Sequence, residues 1–374
     1  MADAPTYRPA DDSGATTDPT MRPASPHRPV WRSRRMAVGL AVAALCLALS
    51  LVGVDLREVA GILRETRPGW LAAALAMVAA ATWAKGVRWR LLLYPEGDGR
   101  PRHGDRPSLG SLRLANIWLA GAALNLALPV PRSGDVARAY LAGEAGGLSK
   151  AQALGTVAAE KLLDMAMLVL CFLLLPLLVA MPAELTARLP SLVALTLAFA
   201  AGAALLLWQR DRWLSLARWA LSRWPSPWSL RLVGSLERGV DGLDALRSPR
   251  SLVGLALWSA VAWALSVGIN NAVFLALGLP SSWTASLFVL VVLQAGVALP
   301  STPGKVGVFQ VLSRWALVFL GYSAAAGLAY GILLYLVSPV VYMVAGAFAL
   351  AFESGWGRRL SIPEAPSFRD TQAR

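Results

Sequence analysis

The residues best suited to chemistry in this chain are charged side chains set against long apolar runs. Arg132, Asp135 and Arg138 form one group, and Glu160, Lys161 and Asp164 form a second. Glu160 and Asp164 are spaced i to i+4 and so share one helical face. Carboxylates inside a membrane are costly unless partnered, which makes Arg132, Arg138 or Lys305 the natural counter-ions. Charge held inside a membrane points to function by default, as part of a polar path or a binding site. A plainer reading places these residues at the headgroup boundary, where they snorkel or lock helices together. His27 and His103 lie in polar segments and Cys46 and Cys171 in apolar runs, so no metal site, cofactor or disulfide framework is expected. No nucleophile arrangement stands out, and no catalytic residue is assigned. There is no G-x-x-x-x-G-K-[ST] phosphate loop, so any transport would be downhill or ion-coupled rather than ATP-driven.

The elements that must position these charges are membrane helices. With 56% hydrophobic and 15% charged residues and a mean hydropathy of +0.53, the chain has too little polar surface to coat a soluble body. A helix needs about 20 residues to cross a hydrocarbon core of roughly 30 Å. Apolar runs of about that scale read as Met36 to Val54, Trp70 to Ala84 with an amphipathic end to Leu93, Leu114 to Val130, Ala153 to Ala180, Leu189 to Trp208, Leu252 to Leu279, Trp283 to Leu299 and Ala324 to Phe352. Residues 1–35 are rich in Pro, Ala, Ser, Thr and Arg without periodicity and read as a disordered cytoplasmic tail. Residues 36–352 read as the transmembrane domain, residues 209–250 as a Trp-rich interfacial segment on its cytoplasmic side, and residues 353–374 as a second cytoplasmic tail.

Orientation follows from the retention of Lys and Arg on the cytoplasmic side. Five Arg and no acid between Met21 and Arg35 place the N-terminus inside. If Leu114 to Val130 crossed fully, the segment Gln209 to Arg250, with eight Arg against four acids, would fall outside. The conflict disappears if Leu114 to Val130 enters from the cytoplasm and turns back. Trp283 to Leu299 then reads as a second re-entrant element from the outer side. The expected architecture is an all-α, polytopic transmembrane helical bundle with about six full spans, two re-entrant hairpins and both termini cytoplasmic.

The two hairpin tips resemble each other. One reads Ala127-Leu128-Pro129-Val130-Pro131-Arg132-Ser133-Gly134-Asp135, the other Ala298-Leu299-Pro300-Ser301-Thr302-Pro303-Gly304-Lys305-Val306-Gly307. Beyond them, Gly147-Leu148-Ser149-Lys150-Ala151 matches Gly321-Tyr322-Ser323-Ala324-Ala325 and opens a long apolar helix. Entering from opposite sides, the units form an inverted repeat, and Gly/Pro-interrupted segments in corresponding positions point to a transporter's binding site. The chain has 31 Arg and only four Lys, three of which (Lys150, Lys161, Lys305) fall within the two units. Lysine where arginine is the usual choice suggests a need for a point charge.

These residues resemble the lysylphosphatidylglycerol synthase transmembrane region, also described as flippase-like membrane proteins. The matching phrases run from Asn125 to Arg138 (N-L-A-L-P-V-P-R-S-G-D-V-A-R), Thr156 to Asp164 (T-V-A-A-E-K-L-L-D) and Leu299 to Gln310 (L-P-S-T-P-G-K-V-G-V-F-Q), and the resemblance covers roughly Ala37 to Phe352. Asp135 stands where the family pattern usually has Glu, Lys161 where it has Arg, and Gln310 where it has Glu, which puts a proton or cation role for Gln310 in doubt. Bifunctional members carry a soluble aminoacyl-transferase domain after the membrane part. This chain ends at Arg374, and a complete synthase is not expected.

The reading that follows is a transporter of the cell membrane rather than an enzyme. It would bind an anionic phospholipid or polyprenyl-phosphate-linked lipid and move its headgroup across the membrane. Its expected substrate-binding residues are Asn125, Pro129, Arg132, Gly134, Asp135, Arg138, Glu160, Lys161, Asp164, Pro300, Pro303, Gly304, Lys305 and Gln310. The alternatives are an enzyme or enzyme subunit transferring a group onto a lipid carrier, with Asp135 or Glu160 as general base, and a scaffold for a partner lipid-modifying enzyme. The net charge of +13 fits cytoplasmic loops facing anionic lipids better than nucleic acid.

Overall fold

The computed structural model describes residues 34–95, 108–128, 132–178, 209–223, 227–297 and 303–360, with scattered positions between 190 and 205. Among these residues all regular structure is helical. The tail 1–33, the tip residues Pro129 and Pro300, most of the expected span Leu189 to Trp208 and residues 361–374 lie outside the described residues.

The helices are α1 (Arg34–Leu51), α2 (Leu56–Arg64), α3 (Pro68–Leu93), α4 (Ser111–Ala127), α5 (Ser133–Gly146), α6 (Lys150–Leu178), α7 (Arg210–Ser222), α8 (Pro227–Asp241), α9 (Pro249–Ala276), α10 (Trp283–Val297), α11 (Val308–Phe319), α12 (Ala324–Tyr335) and α13 (Val341–Leu360). A π-helical turn, Leu336–Val340, joins α12 to α13 and contains Pro339, which has no N–H for the normal ladder. Local chemistry sets several starts. Pro68 and Pro249 stand in the first turn of α3 and α9, where a missing N–H costs nothing. Ser248 and Ser323 cap α9 and α12 by accepting the N–H groups of Ser251 and Ala326. The stretch from Asp55 to Gly69, which lies between two of the apolar runs, contains α2, capped by Asp55. Residues 353–360, read as tail, continue α13.

Four of these elements are long and apolar enough to cross a membrane: Pro68–Leu93, Lys150–Leu178, Pro249–Ala276 and Ala324–Glu353. The helices at the two Pro/Gly tips, α4 with α5 and α10 with α11, are shorter. Each pair folds back on itself: Gly121 of α4 faces Gly134 of α5, and Phe288 of α10 stacks 5.0 Å from Phe319 of α11.

The same order of elements therefore occurs twice, as α3, hairpin, α6 and as α9, hairpin, α12–α13. The leading helices pack against each other in opposite directions. The Arg67 N–H donates to the Ala276 carbonyl at 2.7 Å, Trp83 meets Trp258 edge to face at 5.3 Å, and Leu91 lies against Gly254. The two units consequently run in opposite senses. They also exchange partners, since α4 packs on α13 and α10 on α6.

Backbone contact between the hairpin arms depends on glycine. A Cβ on Gly134 would lie 1.8 Å from the Gly121 carbonyl oxygen, inside any permitted contact. Gly134→Ala should force α4 and α5 apart and lower stability by about 1–3 kcal/mol or more. Gly61→Ala, with no atom within 4 Å of the new Cβ and a helical setting, should be neutral or gain about 0.5–1 kcal/mol. Thermal unfolding of the two variants in detergent checks the contrast.

Candidate functional site

The first hairpin and the helix after it bring five of the expected residues, Asn125, Gly134, Asp135, Arg138 and Glu160, onto one another. Close approach of α4 and α5 lets the Asn125 Oδ1 accept the Gly134 N–H at 2.8 Å, while its amide nitrogen lies 3.4 Å from Asp135. Asp135 stands in the first turn of α5, where the exposed N–H groups favour negative charge. One turn on, Arg138 Nη1 donates to Glu160 Oε2 at 2.8 Å, and its Nε lies 3.3 Å from Asp135. Gly134 acts here by permitting the approach.

The other oxygen of Glu160 faces a residue that the sequence reading did not single out. Arg88 of α3 places Nη2 3.3 Å from Glu160 Oε1 and donates from Nη1 to Asp164 at 2.7 Å, with Ser259 of α9 at 3.2 Å. Trp118 of α4 donates its indole N–H to the same Oε1 at 3.2 Å. Glu160 is thus gripped by two guanidinium groups and an indole. The side chains of Arg138 and Glu160 are each only 2% exposed, and that of Arg88 is 1% exposed. Trp89, whose ring lies 5.2 Å from the Arg138 guanidinium, donates to Thr156 at 3.0 Å and closes one side. From sequence, Arg88 falls in the amphipathic end of the run from Trp70 to Leu93 and carries no assigned role. Its apolar neighbours Gly86, Val87 and Trp89 were the signal that it belongs to the helix.

Away from this dry centre the cluster opens. Lys161 and Asp164 are 39% and 35% exposed in their side chains. The Lys161 ammonium reaches Asp135 only at 3.9 Å. Lys305, from the second tip, has Lys161 and Asp135 as its charged neighbours. The two tips meet: Gly304 lies against the Leu126 carbonyl of α4. Arg132 is exposed at the first tip.

The two tip cations share a backbone feature. Arg132 (φ 60°) and Lys305 (φ 59°) are the non-glycine residues with positive φ among those described. In the second tip, Pro303, Gly304 and Lys305 form a single 3₁₀ turn. Its Gly304 carbonyl accepts the Tyr335 hydroxyl at 2.6 Å. Gln310, buried in the first turn of α11, accepts the Gly307 N–H at 2.7 Å. That is a capping role, and it leaves Gln310 engaged within its own turn.

A family model described as Lysylphosphatidylglycerol synthase TM region matches residues 36–346 of this chain. No curated protein and no solved structure matches it.

Removing one partner from a buried ionic cluster strands the others. Glu160→Ala would leave Arg88 and Arg138 facing each other without the shared anion and should cost about 3–5 kcal/mol. The triple variant Arg88→Met, Arg138→Met, Glu160→Met removes the charges together and should lie closer to the wild type. Unfolding midpoints in one detergent compare the two.

Proposed function

The chain belongs to the lysylphosphatidylglycerol synthase transmembrane-region family, whose members are membrane proteins concerned with lipid modification or translocation, and from that premise we propose that it binds the phosphate of an anionic phospholipid or a polyprenyl-phosphate-linked lipid where the two tips meet and carries the headgroup across the cell membrane. The observation that supports this most is a shortage of anions. Lys161 from one unit and Lys305 from the other share Asp135, which Arg138 also draws on. Exposed Arg132 adds a further cation at the first tip. Two ammonium groups with a shared carboxylate leave a net positive site that a phosphate would neutralise.

Depth suits the task. Lys161 lies roughly 16 Å along an α6 about 42 Å long, taking 1.5 Å per residue, which is close to mid-membrane for a helix that spans. A partly exposed charge at that depth requires a polar path or a polar ligand beside it. Short helices ending in Gly/Pro tips supply such a path, because irregular backbone at membrane depth is tolerated only where it is buried in protein or lines a cavity. Arg138, sequestered with Glu160, acts by positioning α5 against α6. The phosphate falls to the looser cations, Lys161, Lys305 and Arg132. The distribution of Arg supports placing both termini in the cytoplasm.

Proteoliposomes loaded with fluorescent phospholipids and with a polyprenyl-phosphate sugar test this reading. Protein-dependent flipping of an anionic lipid should fall at least about tenfold in Lys161→Ala and in Lys305→Ala, the scale of one lost charge-assisted hydrogen bond. Wild-type rates in the double variant would overturn the assignment. A folded protein that moves no lipid in the panel would favour a subunit of a lipid-modifying enzyme.

A further inference from the structure

Lys85 holds a position that the tip site does not explain. It projects from α3 one turn before Arg88, on the same face. Its ammonium lies 4.3 Å above the ring of Trp118 on α4 and 5.4 Å from the ring of Tyr342 on α13. The two rings meet edge to face at 5.4 Å. No carboxylate among the described residues pairs with Lys85. It is half-buried, so water does not fully solvate it either.

The carboxylate that Trp118 also contacts is already committed. Trp118 presents its face to Lys85 and its N–H edge to Glu160, so the ammonium and the carboxylate meet different parts of one ring rather than each other. Glu160 is in turn balanced by Arg88 and Arg138. Cation–π contacts stabilise an ammonium by about 0.5–2 kcal/mol, well short of a full counter-ion in a low-dielectric setting. An uncompensated, half-buried cation in a membrane helix is a functional-site candidate by default, and an anion is the ligand that its charge suits.

We propose that Lys85, at the seam of α3, α4 and α13, binds a lipid phosphate at a second site distinct from the tips. The ammonium leaves the rings of Trp118 and Tyr342 when the phosphate arrives and returns to them when it departs. This rests on the reading that the chain handles phosphate-bearing lipids, and the same chemistry serves either a cargo lipid on its way to the tips or a resident lipid that stays at the seam.

Lysine is scarce enough to observe directly, because the chain has only Lys85, Lys150, Lys161 and Lys305. Reductive ¹³C-dimethylation, which keeps the charge, labels all four in the full chain, and single Lys→Arg variants assign the NMR signals. In neutral detergent the Lys85 signal should be shifted upfield by the Trp118 ring. Titration with short-chain phosphatidylglycerol should move it downfield, and Lys85→Met should bind that lipid more weakly. Slower flipping by Lys85→Met marks a cargo site, and unchanged flipping a resident lipid; both support the inference. A Lys85 signal that stays in place while those of Lys161 and Lys305 move overturns it and leaves the tip reading standing. If no lysine signal moves, both readings fall.

Discussion

Glu160 cannot stand ionised in a hydrocarbon-embedded bundle without compensation, and how it is compensated determines the arrangement around it. Desolvating a carboxylate costs several kcal/mol even after relaxation, and recovery requires well-placed partners. Here those partners arrive from three helices: Arg88 from α3, Arg138 from α5 and Trp118 from α4. A contact set spread over so many elements fixes their mutual register more tightly than apolar packing, which has no direction and no charge to satisfy. The glycine contact between α4 and α5 then becomes a requirement, since a side chain at Gly134 would carry Arg138 away from Glu160.

The two units share a backbone plan but not a chemistry. Carried forward in register from the matching phrases that open α6 and α12, Glu160 corresponds to Leu334 and Lys161 to Tyr335. Where the first unit buries ion pairs, the second uses neutral hydrogen bonds: Tyr330 to Asn270 at 2.7 Å, Tyr335 to Gly304 and Gln310 to Gly307. One half carries charge and the other forms a largely neutral wall, joined at tips that each present a cation. Lys305 is thus the second unit's contribution to an otherwise one-sided electrostatic site.

Much of this was legible in the sequence because hydropathy is a long-range, additive signal. The long apolar helices, the broken segments with their Gly/Pro tips and the paired phrases all emerged from run length and composition. The two charged groups, Arg132, Asp135 and Arg138 and then Glu160, Lys161 and Asp164, were visible through the cost of charge in lipid, and the shared face of Glu160 and Asp164 through i to i+4 spacing. Arg88 was not, because it sits near the end of its helix, where a basic residue usually marks the cytoplasmic boundary, and only tertiary packing shows that it points inward. Helix α2 was missed because its nine residues, with both charge signs, look like a loop. The capping role of Gln310 was not legible, since a side chain that caps its own helix and one that binds a ligand look alike in one dimension.

The left-handed backbone at Arg132 and Lys305 places tip charge and robustness in opposition. At such positions glycine is the residue of lowest conformational strain, by about 1 kcal/mol or more over a side chain with a Cβ. Selection for stability alone would therefore replace both cations with glycine and reach a sturdier but electrically neutral pair of tips. Thermostabilised or consensus-derived versions of this chain face that drift most directly at these two sites. Holding Arg132 and Lys305 fixed while the remainder of the bundle is optimised would keep the charge where the two units join.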